Sequence, residues 1–303
     1  MVTFTQLQTF RYVLMPNLQN QVVLVTGATS GIGKVTATEL AKMGAHVVLL
    51  ARNPEKAEAT RREIRAAAGH DRVEILLADL SNLNQVRRAA AEFATRHARL
   101  DVLVNNAGLI FGSERQVSAQ GNEMGVATNH LGPFLLTALL FEQLRASPAA
   151  RIVNLASAAY QFAKPQLGDF QSERDYNALR VYGNTKLYNI MFTQELARRL
   201  RAHGIANVTT NAVHPGAVAS NFGDSAGGWL SKLTQLARPF MISVEKGAET
   251  SIFLASAPEV GSTSGGYFAK KKPEPVKHAF NTPAHARQLW EMSEALTETR
   301  FLS

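Results

Sequence analysis

The stretch "YGNTK" places two reactive side chains, Tyr182 and Lys186, four residues apart. In a helix, residues at this spacing share one face, so the phenolic oxygen and the amine can approach one point. A phenol beside an ammonium group can move a proton at a reaction centre. Most Tyr and Lys pairs at this spacing are a half-buried ring next to a solvated charge, so the chemical interpretation needs support from the rest of the chain.

A glycine-rich turn, "TGATSGIG" from Thr26 to Gly33, follows an apolar strand and opens a helix. Glycines let the backbone approach a pyrophosphate, and the free amides and dipole at a helix start attract an anion. The spacing departs from the G-x-G-x-x-G pattern and from the Walker loop, and a tight turn before a helix is the alternative. The residues predicted to contact a dinucleotide here are Gly27, Thr29, Ser30, Gly31, Ile32 and Gly33.

The end of the second strand indicates which dinucleotide binds. An acidic residue there accepts from the ribose 2′-hydroxyl of NAD, whereas an arginine can pair with the 2′-phosphate of NADP. This chain has Arg52 and Asn53 at that point, in "LLARN". We therefore predict NADP(H) as the cofactor.

Two further strand ends carry candidate cofactor contacts. Asp79, with Leu80 beside it, either meets the adenine or belongs to an ordinary helix start that Ser81 or Asn82 caps. After the fourth strand, "NNAG" has small residues where the chain would pass under a cofactor, and its asparagines can tie neighbouring strands together; a simple turn is the alternative. The predicted contacts in this motif are Asn106, Ala107 and Gly108.

The elements that would position these residues alternate along the chain. Apolar, β-branched runs are separated by segments with helical periodicity, such as Lys34 to Met43 and Ala57 to Ala68. Strands that are apolar on both faces indicate a parallel sheet covered on both sides. We predict an α/β fold of the Rossmann type, a doubly wound parallel sheet in three αβα layers. The predicted strands are Gln21–Val25, Ala45–Ala51, Val73–Ala78, Leu100–Asn105, Ala150–Ala156 and Val208–Val213.

No linker, repeat or low-complexity tract divides the chain. We expect an N-terminal extension over residues 1–20 and a single catalytic domain over residues 21–303. Residues 215–243, rich in Gly, Ser and Trp, are predicted to form a flap beside the substrate. The stretch from Ala284 to Thr297 is predicted to be a surface helix.

The composition narrows the classes of function. The chain of 303 residues has no cysteine, which excludes disulfides and a cysteine nucleophile, and its net charge is +8. The basic residues are spread over several helical segments without interleaved aromatic residues, so we expect no nucleic-acid partner. The compact run Lys270 to Lys272 is predicted to be a surface loop. The longest apolar stretch, Leu131 to Phe141, is too short to span a bilayer, and the first twenty residues have no export signal. We therefore expect a cytoplasmic protein without an integral membrane segment. A homo-oligomer is a possible assembly.

Five motifs, in the order in which they occur along the chain, resemble those of the short-chain dehydrogenases/reductases. They are TGATSGIG, NNAG, the serine in "NLASAAY", the Tyr-x-x-x-Lys pair and "HPG", and the match runs from about Gln21 to about Phe268. Within that family, "NHLGPFLLT" and "EKGAETSIFLAS" are most similar to the retinol dehydrogenase-like branch. The resemblance implies hydride transfer between NADP(H) and a hydrophobic alcohol, aldehyde or ketone.

The resemblance also implies roles for four residues. Tyr182 would be the general acid and base and would also contact the cofactor. Lys186, aided by the positive nicotinamide of the oxidised cofactor, would lower the pKa of that phenol, and it would bind the nicotinamide ribose. Ser157 would hydrogen-bond the reacting oxygen, or be a turn residue; Asn129 would hold a water in a proton relay, or be a buried asparagine at a helix kink. The remaining cofactor contacts that the resemblance implies are Pro215, Gly216 and Val218.

The two nearby histidines have simpler interpretations. His130 is interpreted as a packing residue and His214 as a turn residue tethered to the backbone. Neither has a partner at the spacing of a metal site, so we expect no metal.

The chain departs from the family pattern in three ways. Ser157 and Tyr182 are 25 positions apart, because an insertion over residues 158–179 resembles that of the retinol dehydrogenase-like branch. Ala156 replaces the first serine of the usual pair, and the apolar leader of membrane-anchored members has no counterpart. A catalytically silent NADP(H)-binding regulatory or scaffold protein is the alternative function. The aromatic and apolar residues expected either to line the substrate pocket or to anchor two loops are Phe162, Phe170, Phe222, Trp229 and Leu230.

Overall fold

One eight-stranded sheet organises the protein. In the computed structural model, which describes residues 16–218 and 241–302, the sheet order is β3-β2-β1-β4-β5-β6-β7-β8. Neighbouring strands are parallel from β3 to β7, and β8 is antiparallel to β7. The strands are β1 Val22–Thr26, β2 His46–Ala51, β3 Val73–Leu77, β4 Val102–Asn105, β5 Ala150–Leu155, β6 Val208–His214, β7 Tyr267–Ala269 and β8 Lys272–Pro273.

The predicted doubly wound α/β fold is confirmed, and the six predicted strands are present with bounds shifted by one or two residues. The last two strands were not predicted. The lysine run is exposed, as predicted. It forms a tight hairpin turn, since Lys270 and Lys271 have φ values of 50° and 61° and Lys272 begins β8. The strand order reverses between β1 and β4, which is where such sheets bind ligands.

Helices cover both faces of the sheet. Side-chain caps define several helix starts, for example Asn53, whose Oδ1 accepts from the Lys56 amide at 2.8 Å. The helices are α1 Gly31–Lys42, α2 Pro54–Ala68, α3 Leu83–Arg96, α4 Met124–Val126, α5 Gly132–Leu139, α6 Phe141–Arg145, α7 Ala178–Ala202, α8 Val244–Ser256 and α9 Pro283–Thr297. No helix in the described ranges is both long enough and apolar enough to cross a membrane.

The core has two parts, one on each face of the sheet. Alternate residues of one strand point to opposite faces, so Val23 and Val25 pack with α1 and α8, whereas Leu24 packs with α3, α5 and α7. The α9 helix packs against the part of the core that contains Leu24. Its predicted surface position is correct for one face only, because Leu289 and Trp290 on the other face are buried.

The predicted insertion contains two short 3₁₀ turns, Ala158–Phe162 and Leu167–Asp169. Phe170 anchors it, since this ring is buried and stacks on Tyr188 with the ring centroids 5.2 Å apart. Phe162 is instead 78% exposed. Most of the predicted N-terminal extension and flap, including Phe222, Trp229 and Leu230, lies outside the described residues.

Candidate active site

The glycine turn between β1 and α1 fits tightly against the loop after β4. Gly27 and Gly31 have φ values of 64° and 53°, a region that glycine adopts without strain. A Cβ on Gly33 would lie 2.3 Å from Asn106 Nδ2 and 2.4 Å from the carbonyl oxygen of Gly27. The third glycine is therefore needed for the close approach of these two loops.

Hydrogen bonds from Thr26 and Asn106 hold the two loops in place. Asn106 Nδ2 donates to the Thr26 carbonyl at 2.9 Å, and the amides of Asn106 and Ala107 both donate to Thr26 Oγ1 at 3.0 Å. Asn105 extends the tie across the sheet by donating to Asn154 Oδ1 at 2.8 Å. The asparagines of the NNAG motif thus join β1, β4 and β5.

The start of α1 offers unfilled backbone donors at the switch point. The Ser30 side chain makes no capping hydrogen bond, and the first turn, from Gly31, contains no acidic residue. Thr29 and Ser30 keep some solvent exposure. An anion can therefore meet the amides of this turn.

Some side chains at the tips of β2 and β3 already cap helices or make hydrogen bonds, and others are exposed. Arg52 is exposed just beyond β2, while Asn53 caps α2. Asn82, rather than Asp79, caps α3. Asp79 Oδ1 accepts from the amide and hydroxyl of Ser81 at 2.9 and 2.7 Å. Leu80 is buried.

The catalytic candidates converge where α7 passes the end of β5. Lys186 is 1% exposed, its Nζ donates to the Leu155 carbonyl at 3.1 Å, and this nitrogen lies 5.3 Å from the centroid of the Tyr182 ring. The Tyr182 hydroxyl hydrogen-bonds with Ser157, whose Oγ also accepts from the Ala159 amide at 3.2 Å. The structure therefore brings phenol, ammonium and hydroxyl together at one edge of the sheet.

Burial dominates the electrostatics of the pair in the chain itself. Desolvation raises the pKa of Tyr182, although the hydrogen bond from Ser157 opposes this, and it lowers the pKa of Lys186 to about 8. The expected lowering of the Tyr182 pKa depends on Lys186 together with the positive nicotinamide of the oxidised cofactor, and it stays a prediction. The phenol keeps its proton near neutral pH.

Asn129 lies in a π-helical turn, Ala127–Leu131, between α4 and α5. Its Oδ1 accepts from the Leu109 amide and its Nδ2 donates to the Leu109 carbonyl, both at 2.9 Å. A Cβ on Gly108 would lie 2.9 Å from Lys186 Nζ and 3.4 Å from Asn129 Oδ1. Asn129 and Lys186 therefore face the same small space beside Gly108.

The segment after β6 returns to the glycine turn. A Cβ on Gly247 of α8 would lie 2.5 Å from Val218 and 3.4 Å from Ile32, so these two predicted cofactor contacts lie near each other. Gly216, next to Pro215, has a φ of 94°. Val218 pairs with Ile242, just before α8, in an isolated bridge.

The two histidines occupy structural positions. His214 Nδ1 accepts from the amides of Ala158 and Gly216 at 3.2 and 3.4 Å. His130 is buried, with Nε2 2.8 Å from Ser293 Oγ, and burial lowers its pKa to about 4. These positions agree with the predictions that His214 is tethered to the backbone and that His130 is a packing residue.

A pocket beside Tyr182 contains residues that the sequence did not single out. Desolvation raises the pKa of Glu123 in its wall, and Glu123 Oε2 accepts from the Val126 amide at 2.7 Å. Only Tyr176 and Ala178 come from the predicted insertion, and the predicted Phe162 and Phe170 are absent from the lining. No local pattern marks these residues, because three separate segments supply them. The lining is Leu109, Ile110, Phe111, Glu123, Gly125, Asn129, Tyr176, Ala178, Val181 and Tyr182.

Comparison with known proteins identifies the family. The family model described as short chain dehydrogenase matches residues 21–230. The chain belongs to the short-chain dehydrogenase family. This short-chain dehydrogenase is 39% identical to human retinol dehydrogenase 14 over 92% of the chain and 87% of that protein, which places it in the retinol dehydrogenase-like branch.

Two solved structures are similar to this short-chain dehydrogenase. An uncharacterised protein from Mycobacterium paratuberculosis is 31% identical, with a TM-score of 0.74 over 95% of this chain and 97% of that one. A short chain dehydrogenase from Burkholderia cenocepacia, solved in complex with NADP, is 27% identical, with a TM-score of 0.65 over 83% and 96%.

Proposed function

We propose that the protein is an NADP(H)-dependent oxidoreductase that interconverts a hydrophobic alcohol with its aldehyde or ketone, with Tyr182 as the general acid and base. The convergence of Tyr182, Ser157 and Lys186 beside the glycine turn carries this proposal. The bound dinucleotide would supply or accept the hydride. The uncapped start of α1 and the exposed Arg52 fit the charge of such a ligand.

In the reductive direction, the phenol of Tyr182 would be the proton donor. A protonated Tyr182 can give its proton to a carbonyl oxygen as that oxygen gains negative charge. Ser157, already hydrogen-bonded to Tyr182, can donate to the same oxygen. Lys186 and Asn129, which face the space beside Gly108, are placed to return a proton toward the phenol.

The choice of NADP(H) depends on the tip of β2. Arg52 is exposed there, and Asn53 occupies the position where an acidic residue would accept the ribose hydroxyl. The relative from Burkholderia cenocepacia is described in complex with NADP, which supports the same choice. A hydrophobic substrate is supported by relatives named retinol dehydrogenases and by the apolar side chains of Ile110, Phe111 and Val181, which line a gap of about 160 Å³ beside Tyr182 that would have to widen to admit a substrate.

The test of this function follows NADPH absorbance with a panel of lipophilic aldehydes and ketones, and NADP⁺ reduction with the matching alcohols. We expect turnover with at least one lipophilic carbonyl of a panel that includes retinal-like aldehydes. We expect little turnover with short polar carbonyls. NADPH binding without turnover on the whole panel would favour the catalytically silent regulatory protein instead.

Cofactor choice is tested with Arg52→Asp. We expect this variant to weaken NADPH binding while leaving NADH binding unchanged or tighter, because a carboxylate repels the 2′-phosphate. Arg62→Asp, on the exposed side of α2, is the matched control for the change in net charge. Equal affinity of the unmodified protein for NADH and NADPH would refute the assignment.

A further inference from the structure

Three side chains from separate elements meet at the amino end of the sheet, opposite the edge that carries Tyr182. His46 is the first residue of β2, and Glu74 of β3 lies opposite Val48 in the register. Because alternate strand residues share a face, His46 and Glu74 point to the same side. His97, directly after α3, lies above that side.

The donor atoms of these residues are close enough to share one ion. One ligand atom from each residue can be chosen so that all lie within 4.8 Å of one another. Glu74 Oε1 is 2.7 Å from His46 Nε2, and Glu74 Oε2 is 3.3 Å from His97 Nε2. In tetrahedral zinc sites with bonds of about 2.0–2.1 Å, neighbouring ligand atoms lie about 3.3 Å apart. The His97 contact already has this spacing, whereas the shortest and longest separations, 2.7 Å and up to 4.8 Å, would have to change on binding.

An ion pair alone leaves one feature of this cluster unexplained. His46 Nε2 is buried, and Glu74 Oε1, 2.7 Å away, acts on the pKa of His46 as a hydrogen-bond partner, but the contact lacks the geometry of a well-formed hydrogen bond. Buried polar atoms are normally satisfied, and a cation bound among these donor atoms would satisfy this nitrogen. The imidazole rings stand nearly perpendicular, at 85° with centroids 5.0 Å apart, so their edges approach the carboxylate from two directions.

We propose that His46, Glu74 and His97 bind a divalent transition-metal ion, with Zn²⁺ the best fit to two imidazoles and one carboxylate. The ion would join β2, β3 and the end of α3, and solvent would complete its coordination, since His46 and Glu74 are partly exposed. Two basic residues oppose a cation here. Arg96 Nη1 lies 3.8 Å from Glu74 Oε2, and the charge of Arg72 also acts on His46.

A second partner of Arg96 limits the repulsion between this residue and a bound cation. Arg96 also pairs with Glu92, a partner that can hold the guanidinium when a metal takes the Glu74 carboxylate. The site is at the amino end of the sheet, so the ion would stabilise the fold and take no part in the chemistry at Tyr182. This proposal is therefore independent of the proposed function.

The test uses the full-length, tag-free protein after dialysis against a chelator. Titration with Co²⁺ is expected to give visible absorption bands of a tetrahedral site at one equivalent, and Zn²⁺ is expected to abolish them and to raise Tm with its concentration. Loss of an outer-shell partner alone costs about 10–100-fold in metal affinity, so we expect His97→Gln and Glu74→Gln each to weaken Zn²⁺ binding at least that much.

His203→Gln, which changes an exposed histidine outside the cluster, is the matched control and should bind the metal as the unmodified protein does. Circular dichroism and NADPH binding show whether each variant is folded. The proposal is overturned if no tetrahedral Co²⁺ bands appear, or if folded His97→Gln and Glu74→Gln bind Zn²⁺ as tightly as the control.

Discussion

The substitution Gly33→Ala tests the fit between the glycine turn and the loop after β4. The added Cβ would lie 2.3 Å from Asn106 Nδ2 and 2.4 Å from the Gly27 carbonyl oxygen. Non-bonded contacts to carbon are most favourable at about 3.5–4.0 Å, so the loops would have to separate by more than an ångström. The backbone of Gly27 cannot rotate away as the end of a side chain can.

The expected cost combines three terms. Overpacking in a close-packed region costs about 1–3 kcal/mol, and loss of the hydrogen bond from Asn106 Nδ2 to the Thr26 carbonyl costs about 1 kcal/mol more. The higher helix propensity of alanine returns up to about 1 kcal/mol, because Gly33 lies in α1. We expect a net loss of about 1–3 kcal/mol in the free energy of unfolding.

Urea unfolding followed by circular dichroism measures this loss. Gly112→Ala is the matched control, since a Cβ there meets no atom within 4 Å, and its effect should stay within about 0.5 kcal/mol. NADPH binding should also weaken in Gly33→Ala under conditions where the variant remains folded. If Gly33→Ala and Gly112→Ala unfold at the same urea concentration, the close approach of the two loops is wrong.

Three further predictions concern buried groups. Burial lowers the pKa of Lys186 to about 8, below the unfolded value of about 10.4. Because the unfolded chain binds more protons between these values, the free energy of unfolding should rise with pH there, and Lys186→Met should abolish this rise in urea unfolding at pH 8 to 10. Burial lowers the pKa of His130 to about 4. The free energy of unfolding should therefore fall by up to about 3 kcal/mol as pH falls from about 6.5 to 4, and the fall should be smaller in His130→Phe. Phe170→Ala should cost about 3–5 kcal/mol in thermal or urea unfolding, whereas the exposed Phe162→Ala should cost under about 0.5 kcal/mol; equal effects would contradict the anchoring of the insertion.

Local patterns were sufficient to predict the sheet and the order of the motifs. Strands such as β1 and β2 are largely continuous β-branched and apolar runs, because both of their faces are buried. The glycine turn and NNAG were recognisable because close backbone approach restricts residue type at Gly33 and Asn106. The short strands β7 and β8 lack such a run, and their pairing depends on contacts with β6.

The features that escaped sequence analysis depend on contacts distant in the chain. Phe162 and Phe170 have the same residue type in one insertion, and only packing against Tyr188 separates anchor from exposed ring. The raised pKa of Tyr182 follows from desolvation, which residue spacing does not reveal. His46 and Glu74 likewise become neighbours only through strand register.

The central claim is that Tyr182 transfers the proton during turnover, and the most direct measurement is kcat of Tyr182→Phe with NADPH and the best carbonyl substrate. Loss of a general acid is expected to lower kcat by about 10²–10⁴-fold at saturating NADPH. Tyr188→Phe, which changes a buried tyrosine on the same helix, should retain activity. Tyr182→Phe turning over as fast as Tyr188→Phe would contradict the account.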